Sequence, residues 1–105
     1  MAKIAVIRNA IFNVVAKVPA GSVTTYKTLA LLVGTHPRVI GMALHTNNDS
    51  NRVPCHRVVH TDGRMAGGYV FGGPDAQRAI HEEEGVLFTK DGRVRLSECE
   101  WSVFD

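Results

Sequence analysis

Gly34 and Pro37 lie close together near the middle of the chain, and they leave little choice about what residues 24–46 can become. Glycine readily ends a helix in the left-handed conformation, and proline is tolerated in the first turn of the next helix, where a missing N–H costs least. Thr24 or Thr25 can cap a helix carrying Leu29, Leu32 and Val33, which Gly34 closes. Thr35 then caps a second helix, with Pro37 in its first turn and Arg38 to about Thr46 continuing it. Two short helices joined by a tight glycine-containing turn make a helix-turn-helix pattern, whose second helix often meets DNA. Many such pairs merely pack together, so the pattern defines a fold element and leaves its role open.

The remaining segments are short. Ile4, Ile7, Ile11, Val14, Val15 and Val18 recur near helical spacing, which predicts an amphipathic helix over 3–17 that Pro19-Ala20-Gly21-Ser22 ends. After a polar loop at 47–51, residues 52–59 run into a short apolar strand, and Asp62-Gly63 turns the chain. Gly67, Gly68, Gly72 and Gly73 bracket Tyr69 in a segment that can bring backbone close to a ligand or serve as a surface turn. Residues 74–84 read as a further helix stopped by Gly85. Val86-Leu87-Phe88 and Val94-Arg95-Leu96 then flank the hairpin turn Lys90-Asp91-Gly92, and a tail through Trp101 and Phe104 is expected to return to the core. This pattern predicts a mainly α domain with short β elements, a single winged helix-turn-helix-like unit over 1–105.

Composition narrows the function classes. With 105 residues and 21% charged side chains, the chain suits one soluble domain with one core. Cys55 and Cys99 form no CxxC pair, which argues against a disulfide scaffold and a zinc knuckle. No apolar run approaches membrane-spanning length and no signal-peptide core is present, so an intracellular, reducing setting is expected, cytoplasmic and nucleoid-associated or nuclear. Net charge is +2 but unevenly distributed: nine Lys/Arg stand against three Asp through His81, and three against seven Asp/Glu from Glu82 onward. Such segregation can present a basic face to a polyanion, or be ordinary solvated charge.

The chemistry-bearing stretch is Pro54-Cys55-His56-Arg57-Val58-Val59. A thiol is a good nucleophile only as thiolate, and an adjacent imidazole is the kind of base that generates one. Alone, the dipeptide is equally a buried, inert cysteine beside a histidine. Cys55, His56, His60 and His81 fit no usual zinc spacing, so neither a metal nor a cofactor is expected.

In order along the chain stand Val18-Pro19-Ala20-Gly21-Ser22-Val23-Thr24-Thr25-Tyr26, Arg38-Val39-Ile40-Gly41-Met42-Ala43, Asn47, the six residues around Cys55, Gly68-Tyr69, Gly72-Gly73 and Glu84-Gly85. This series resembles the O6-alkylguanine-DNA alkyltransferase family over roughly residues 5–85, matching its carboxy-terminal DNA-binding and active-site domain. The resemblance implies single-turnover repair of double-stranded DNA, in which the alkyl group on guanine O6 passes to a cysteine. The target lies inside a stacked duplex, so the nucleotide must be flipped out.

By that similarity Cys55 is the acceptor, His56 its base acting through a water, Glu84 the carboxylate that orients His56, and Tyr26 the proton donor to O6; otherwise Tyr26 is a helix-start aromatic on the core. Arg38 corresponds to the finger that fills the gap left by the flipped base. Tyr26, Thr25, Met42 and Ala43 would share the DNA-facing surface, with Met42 alternatively a core residue. Val58, Tyr69, Val70, Asn47 and Gly68 would form the alkylguanine pocket. There, the Cys55 and Val58 carbonyls accept from the guanine amine, the Val70 N–H meets O6, and Asn47 clamps the active-site turn. Cys99 reads as an incidental thiol.

The chain departs from the family pattern at Asn47-Asn48, where Asn-Pro is usual, at Gln77, where Lys is common, and by an extra residue between Tyr69 and Gly72-Gly73. The family's amino-terminal domain is expected to be missing. That short form also resembles the alkyltransferase-like proteins, which bind O6-alkylguanine and hand it to nucleotide excision repair proteins but lack the acceptor cysteine. Three readings follow for a monomeric protein: alkyl transfer, lesion binding, or a winged-helix regulator indifferent to alkylation.

Overall fold

Residues 2–67 and 69–102 are described by a computed structural model of the chain, with side chains from Ala5 onward. Gly68, Phe104 and the Ile4 side chain, named above, lie outside the described part. The elements are α1 (Ala2–Val15), β1 (Thr24–Thr25), α2 (Tyr26–Val33), α3 (Pro37–His45), β2 (Val58–Val59), α4 (Gly73–Glu83) and α5 (Leu96–Cys99), with a 3₁₀ turn at Cys55–Arg57 before β2.

Ile11, Val15 and Val18 are fully buried, as the helical stripe requires. Regular helix ends at Val15 rather than 17 because the chain tightens: Lys17 N–H bonds the Val14 carbonyl at 3.0 Å and Val18 N–H the Val15 carbonyl at 3.1 Å. The approach to Pro19 disfavours a further α turn. Gly21 follows at φ +86°, where a Cβ would stand 3.1 Å from the Glu84 carbonyl oxygen. Glycine is required there both by the backbone conformation and by the close approach of the end of α4.

The helix-turn-helix forms as its caps dictate. Thr25 caps α2, its hydroxyl accepting from Thr28 N–H at 3.1 Å. Gly34 closes α2 in the left-handed region at φ +83°. Thr35 does not cap α3; its N–H joins that of Gly34 on the Ala30 carbonyl, so it is consumed in ending α2. His36 caps α3 instead, Nδ1 accepting from Arg38 N–H at 3.0 Å, with Pro37 at the first position as expected. Leu29, Ile40 and Leu44 close the helix pair onto α1, while Leu32 remains 44% exposed.

A parallel pairing brings Thr24 opposite Val58 and Thr25 opposite Val59. It sets the first residue of α2 beside the Cys55 turn. A second apolar cluster, Val23, Val59, Val86 and Val94, lies beyond it. The expected hairpin is present in reduced form, with an antiparallel bridge between Phe88 and Val94. Leu96, read as strand, instead opens α5. The tail returns as expected at Trp101, whose N–H bonds the Val23 carbonyl at 2.7 Å. Among the described residues no helix is long and apolar enough to cross a membrane.

A Cβ at Gly34 would meet nothing within 4 Å, so only backbone conformation opposes substitution there. Gly34→Ala is expected to lower stability by about 1–2 kcal/mol, read as a lower urea midpoint at unchanged slope.

Candidate active site

Cys55 opens the 3₁₀ turn that ends the 47–54 loop and is only 6% exposed. Asn47, buried behind it, holds that loop: its Nδ2 donates to the Val53 carbonyl at 2.8 Å and its Oδ1 accepts from Asp49 N–H at 3.1 Å. Burial pushes the Cys55 thiol above its ordinary value, opposed by the Asn47 side chain and the cysteine's own backbone N–H. The resting sulfur is therefore a neutral thiol, and its chemistry requires a base.

The candidate base, His56, stands next in sequence. His56 Nε2 lies 3.1 Å from both carboxylate oxygens of Glu84, at the C-terminal cap of α4. Arg57 completes the arrangement from the other side: Nε donates to Glu84 Oε1 at 3.1 Å, Nη2 to Oε2 at 2.6 Å, and Nη1 to the Val18 carbonyl at 2.8 Å. Burial opposes ionisation of Glu84, yet hydrogen bonds from Arg57 and His56 hold its carboxyl down at about 2. Burial lowers the His56 pKa against the pull of Glu84. A neutral imidazole facing an ionised carboxylate donates from Nε2, which leaves Nδ1 unprotonated and able to accept a proton.

Tyr26, the first residue of α2, shares a cavity with Cys55. Burial, reinforced by the neighbouring Cys55, pushes its phenol up to about 12, so it remains a hydrogen-bond donor. The cavity, lined also by Gly41, Leu44, His45, Ala66, Tyr69 and Val70, measures about 20 Å³. It adjoins an open groove of about 700 Å³, where Arg38, Met42 and His60 join Tyr26, Gly41, His45 and Ala66. His60 lies against Tyr26, ring centroids 5.2 Å apart.

The sequence-derived residues divide accordingly. Cys55, His56, Glu84 and Asn47 come together around the turn, while Tyr26, Tyr69 and Val70 line the cavity with Cys55. Arg38 and Met42 line the groove, and Met42, 67% exposed, is not core. Thr25 does not line the groove: it is buried with its hydroxyl in the α2 cap. Ala43 does not line that groove but the neighbouring one, with Ile7, Arg8, Val39, Thr46 and Met42, which borders both. Val58 is fully buried and not among the residues lining the cavity; its carbonyl accepts from Gln77 Nε2 at 3.0 Å. Cys99 is half-buried, its thiol pushed up by burial and by Glu98 and Glu100.

Sequence reasoning missed three residues. Arg57 directly follows His56, and that adjacency was the available signal for a cation partnering Glu84. Gln77 stood out only as a departure from the family pattern, yet it is wholly buried with three hydrogen bonds. His81 is also wholly buried, its ring edge-on to His56 at 5.5 Å, and neither ring nitrogen has a hydrogen-bond partner of good geometry. Burial, then the His56 charge, lowers its pKa to about 4.

Fold and site together define a small winged helix-turn-helix domain in which a buried thiol is followed in the chain by an imidazole held against an arginine-clamped carboxylate. The family model described as "6-O-methylguanine DNA methyltransferase, DNA binding domain" matches residues 6–86, and the chain belongs to that family. A methylated-DNA–protein-cysteine methyltransferase of Saccharolobus solfataricus is 46% identical over 79 residues, which are 75% of this chain and 50% of that protein. The chain thus spans about half the length of the curated relatives it matches. The O6-methylguanine-DNA methyltransferase of Pyrococcus kodakaraensis superposes with a TM-score of 0.67 at 36% identity, over 75% of this chain and 46% of that one. S. pombe Atl1, solved with damaged DNA containing O6-carboxymethylguanine, superposes at 0.79 with 29% identity, over 93% of this chain and 96% of that one.

The titrations have a sign that can be measured. Histidine unfolded takes up its proton near 6.5 and folded His81 only near 4, so the unfolded chain binds more protons across that window. His81 therefore contributes stability fully above about pH 6.5, and that contribution is lost as pH falls toward 4. Glu84, shifted from 4.5 to about 2, contributes above 4.5 and loses its share below. His81→Leu is expected to lessen the fall in stability between pH 6.5 and 4, leaving the part due to His56, whose pKa is also lowered, and the loss below 4.5 due to Glu84, as read from urea midpoints between about pH 7 and 3.

Proposed function

We propose that this chain repairs O6-alkylguanine in double-stranded DNA by transferring the alkyl group to Cys55 in a single turnover. The observation that carries this reading is the line from Arg57 through Glu84 to His56, which leaves His56 Nδ1 free to take a proton while Cys55 sits in a cavity with Tyr26. The flipped base enters from the groove, and Arg38 at the start of α3 occupies the gap it leaves. Arginine is planar and stacks as well as pairs, which suits this role.

The step balances as a displacement. His56 Nδ1 takes the Cys55 proton through a water, and the thiolate pair forms the S–C bond to the alkyl carbon. The C–O bond breaks with its electron pair going to the purine. Tyr26 donates a hydrogen bond to O6 as negative charge develops there, and the proton that neutralises the departing purine is relayed through its phenol from the His56 imidazolium by way of water, so that phenol and imidazole both end neutral. Glu84 stabilises the imidazolium that forms, as the third member of a nucleophile, base and orienter set.

A second reading has its own support. The likeness to S. pombe Atl1 extends over nearly the whole of both chains, whereas the likeness to the methyltransferases covers about half of theirs. On that reading the protein flips and grips the lesion without transfer, for nucleotide excision repair proteins to act on. Family membership gives no support to a regulator indifferent to alkylation.

Intact mass after incubation with an O6-methylguanine duplex separates the two. Transfer adds one methyl group to the parent chain and none to Cys55→Ala; lesion binding adds none to either while both retard the duplex. With transfer established, Glu84→Gln is expected to slow it by about tenfold to a hundredfold at nearly unchanged DNA affinity. A parent-like rate in that variant would remove Glu84 from the proton relay.

A further inference from the structure

The Gln77 side chain, one turn into α4, is completely buried, and its amide uses both donors and its acceptor. Nε2 donates to the His56 carbonyl at 2.8 Å and to the Val58 carbonyl at 3.0 Å, while Oε1 accepts from Ala66 N–H at 2.9 Å. The first carbonyl belongs to the turn that carries Cys55 and the second to the strand residue directly after it; Ala66 lines the cavity with Cys55. From Ala66 a backbone ladder continues into α4: its carbonyl accepts from Tyr69 N–H at 3.3 Å, and the Tyr69 carbonyl from Gly73 N–H at 2.9 Å. The wall carrying Tyr69 and Val70 is thus anchored at one end by the start of α4 and at the other by Gln77.

At about 20 Å³ the cavity holds roughly one water, so a purine enters only if the wall yields. Tyr69 and Val70 stand between Ala66 and the positive-φ pair Gly72 and Gly73, and on this reading theirs is the part of the wall that yields. Ala66 cannot follow without leaving a buried N–H and a buried amide oxygen unpaired. The corner that stays fixed is the one Ala66 shares with Cys55, where the alkyl substituent must lie.

We propose that Gln77 is a positioning residue that limits the size of alkyl group admitted to Cys55, by fixing Ala66 to the carbonyls of His56 and Val58. The proposal rests on the repair reading for its substrate. The pairing is specific to an amide, because an ammonium at this position can donate to the two carbonyls but has no acceptor for Ala66 N–H.

The test uses the full chain with Cys99→Ser, so that Cys55 alone reports by intact mass. Rates are compared for duplexes carrying O6-methylguanine and O6-benzylguanine, in the parent and in Gln77→Lys. Release of Ala66 is expected to raise the benzyl-to-methyl rate ratio about tenfold, the scale of discrimination a shaped pocket achieves. Faster hydrogen exchange at the Ala66 amide should accompany it. An unchanged ratio in a folded variant overturns the proposal. If the parent transfers neither group, the repair reading fails, and the same chains are compared by the reaction of Cys55 with iodoacetamide and with N-phenylmaleimide. A rise in the bulky-to-small ratio in Gln77→Lys then supports the size limit without the repair reading, and an equal ratio overturns it. Should Gln77→Lys not fold, Gln77→Met is carried through the same comparison, together with Ala66 amide exchange in the parent. Exchange as fast as in an open loop would overturn the clamp.

Discussion

The ion pair between Arg57 and Glu84 is the interaction on which the rest of this small structure depends. Both side chains are largely withdrawn from water, and a carboxylate so placed is tolerated only when its oxygens are occupied. Arg57 occupies them with a planar fork, and its remaining nitrogen reaches the Val18 carbonyl beyond the end of α1. One guanidinium thereby ties together three remote parts of the chain: the exit of the first helix, the cysteine turn and the end of α4. The imidazole of His56 inherits its orientation from this tie.

The protonation states follow from the same burial. A thiol and an imidazole kept out of water both prefer to be neutral, while the carboxylate is held ionised by its donors. Charge is therefore absent where reaction would start and already balanced where it would end. His81 adds a second buried imidazole against the first, on a helix that also supplies Glu84 and Gln77. One helix thus carries the carboxylate, the amide that spans the pocket wall and the turn, and a histidine that takes up protons only in acid.

Legibility in the sequence tracked the range of the interaction. The helix pair was readable because its signals are local: a threonine, a glycine and a proline act on the residues beside them. Even there the cap of α3 fell to His36, since Thr35 was taken by the closure of α2. The two-residue parallel pairing was not readable, because strands so short have no periodicity. Cys55, His56, Glu84 and Tyr26 were found through a resemblance, and the fold brings them into one neighbourhood. The burial of Thr25 and Val58 and the place of Ala43 outside the groove could not be read in advance, because sequence order gives neighbourhood but not which way a side chain faces. Gln77 bonds to residues 11 to 21 positions away, and no local pattern encodes that.

Gly21 lies in a turn far along the chain from His56 and Glu84, yet it lets the backbone at Glu84 approach within the reach of a single methyl. Substitution at that bend is consequently opposed twice, by the left-handed backbone of the loop itself and by the chain that carries the carboxylate. A side chain there would press on the Glu84 backbone, which must give by a few tenths of an ångström beside the carboxylate that orients His56, while the hydrophobic interior is not touched. The damage would register as lost reactivity in a protein still folded, a remote lesion with a local symptom.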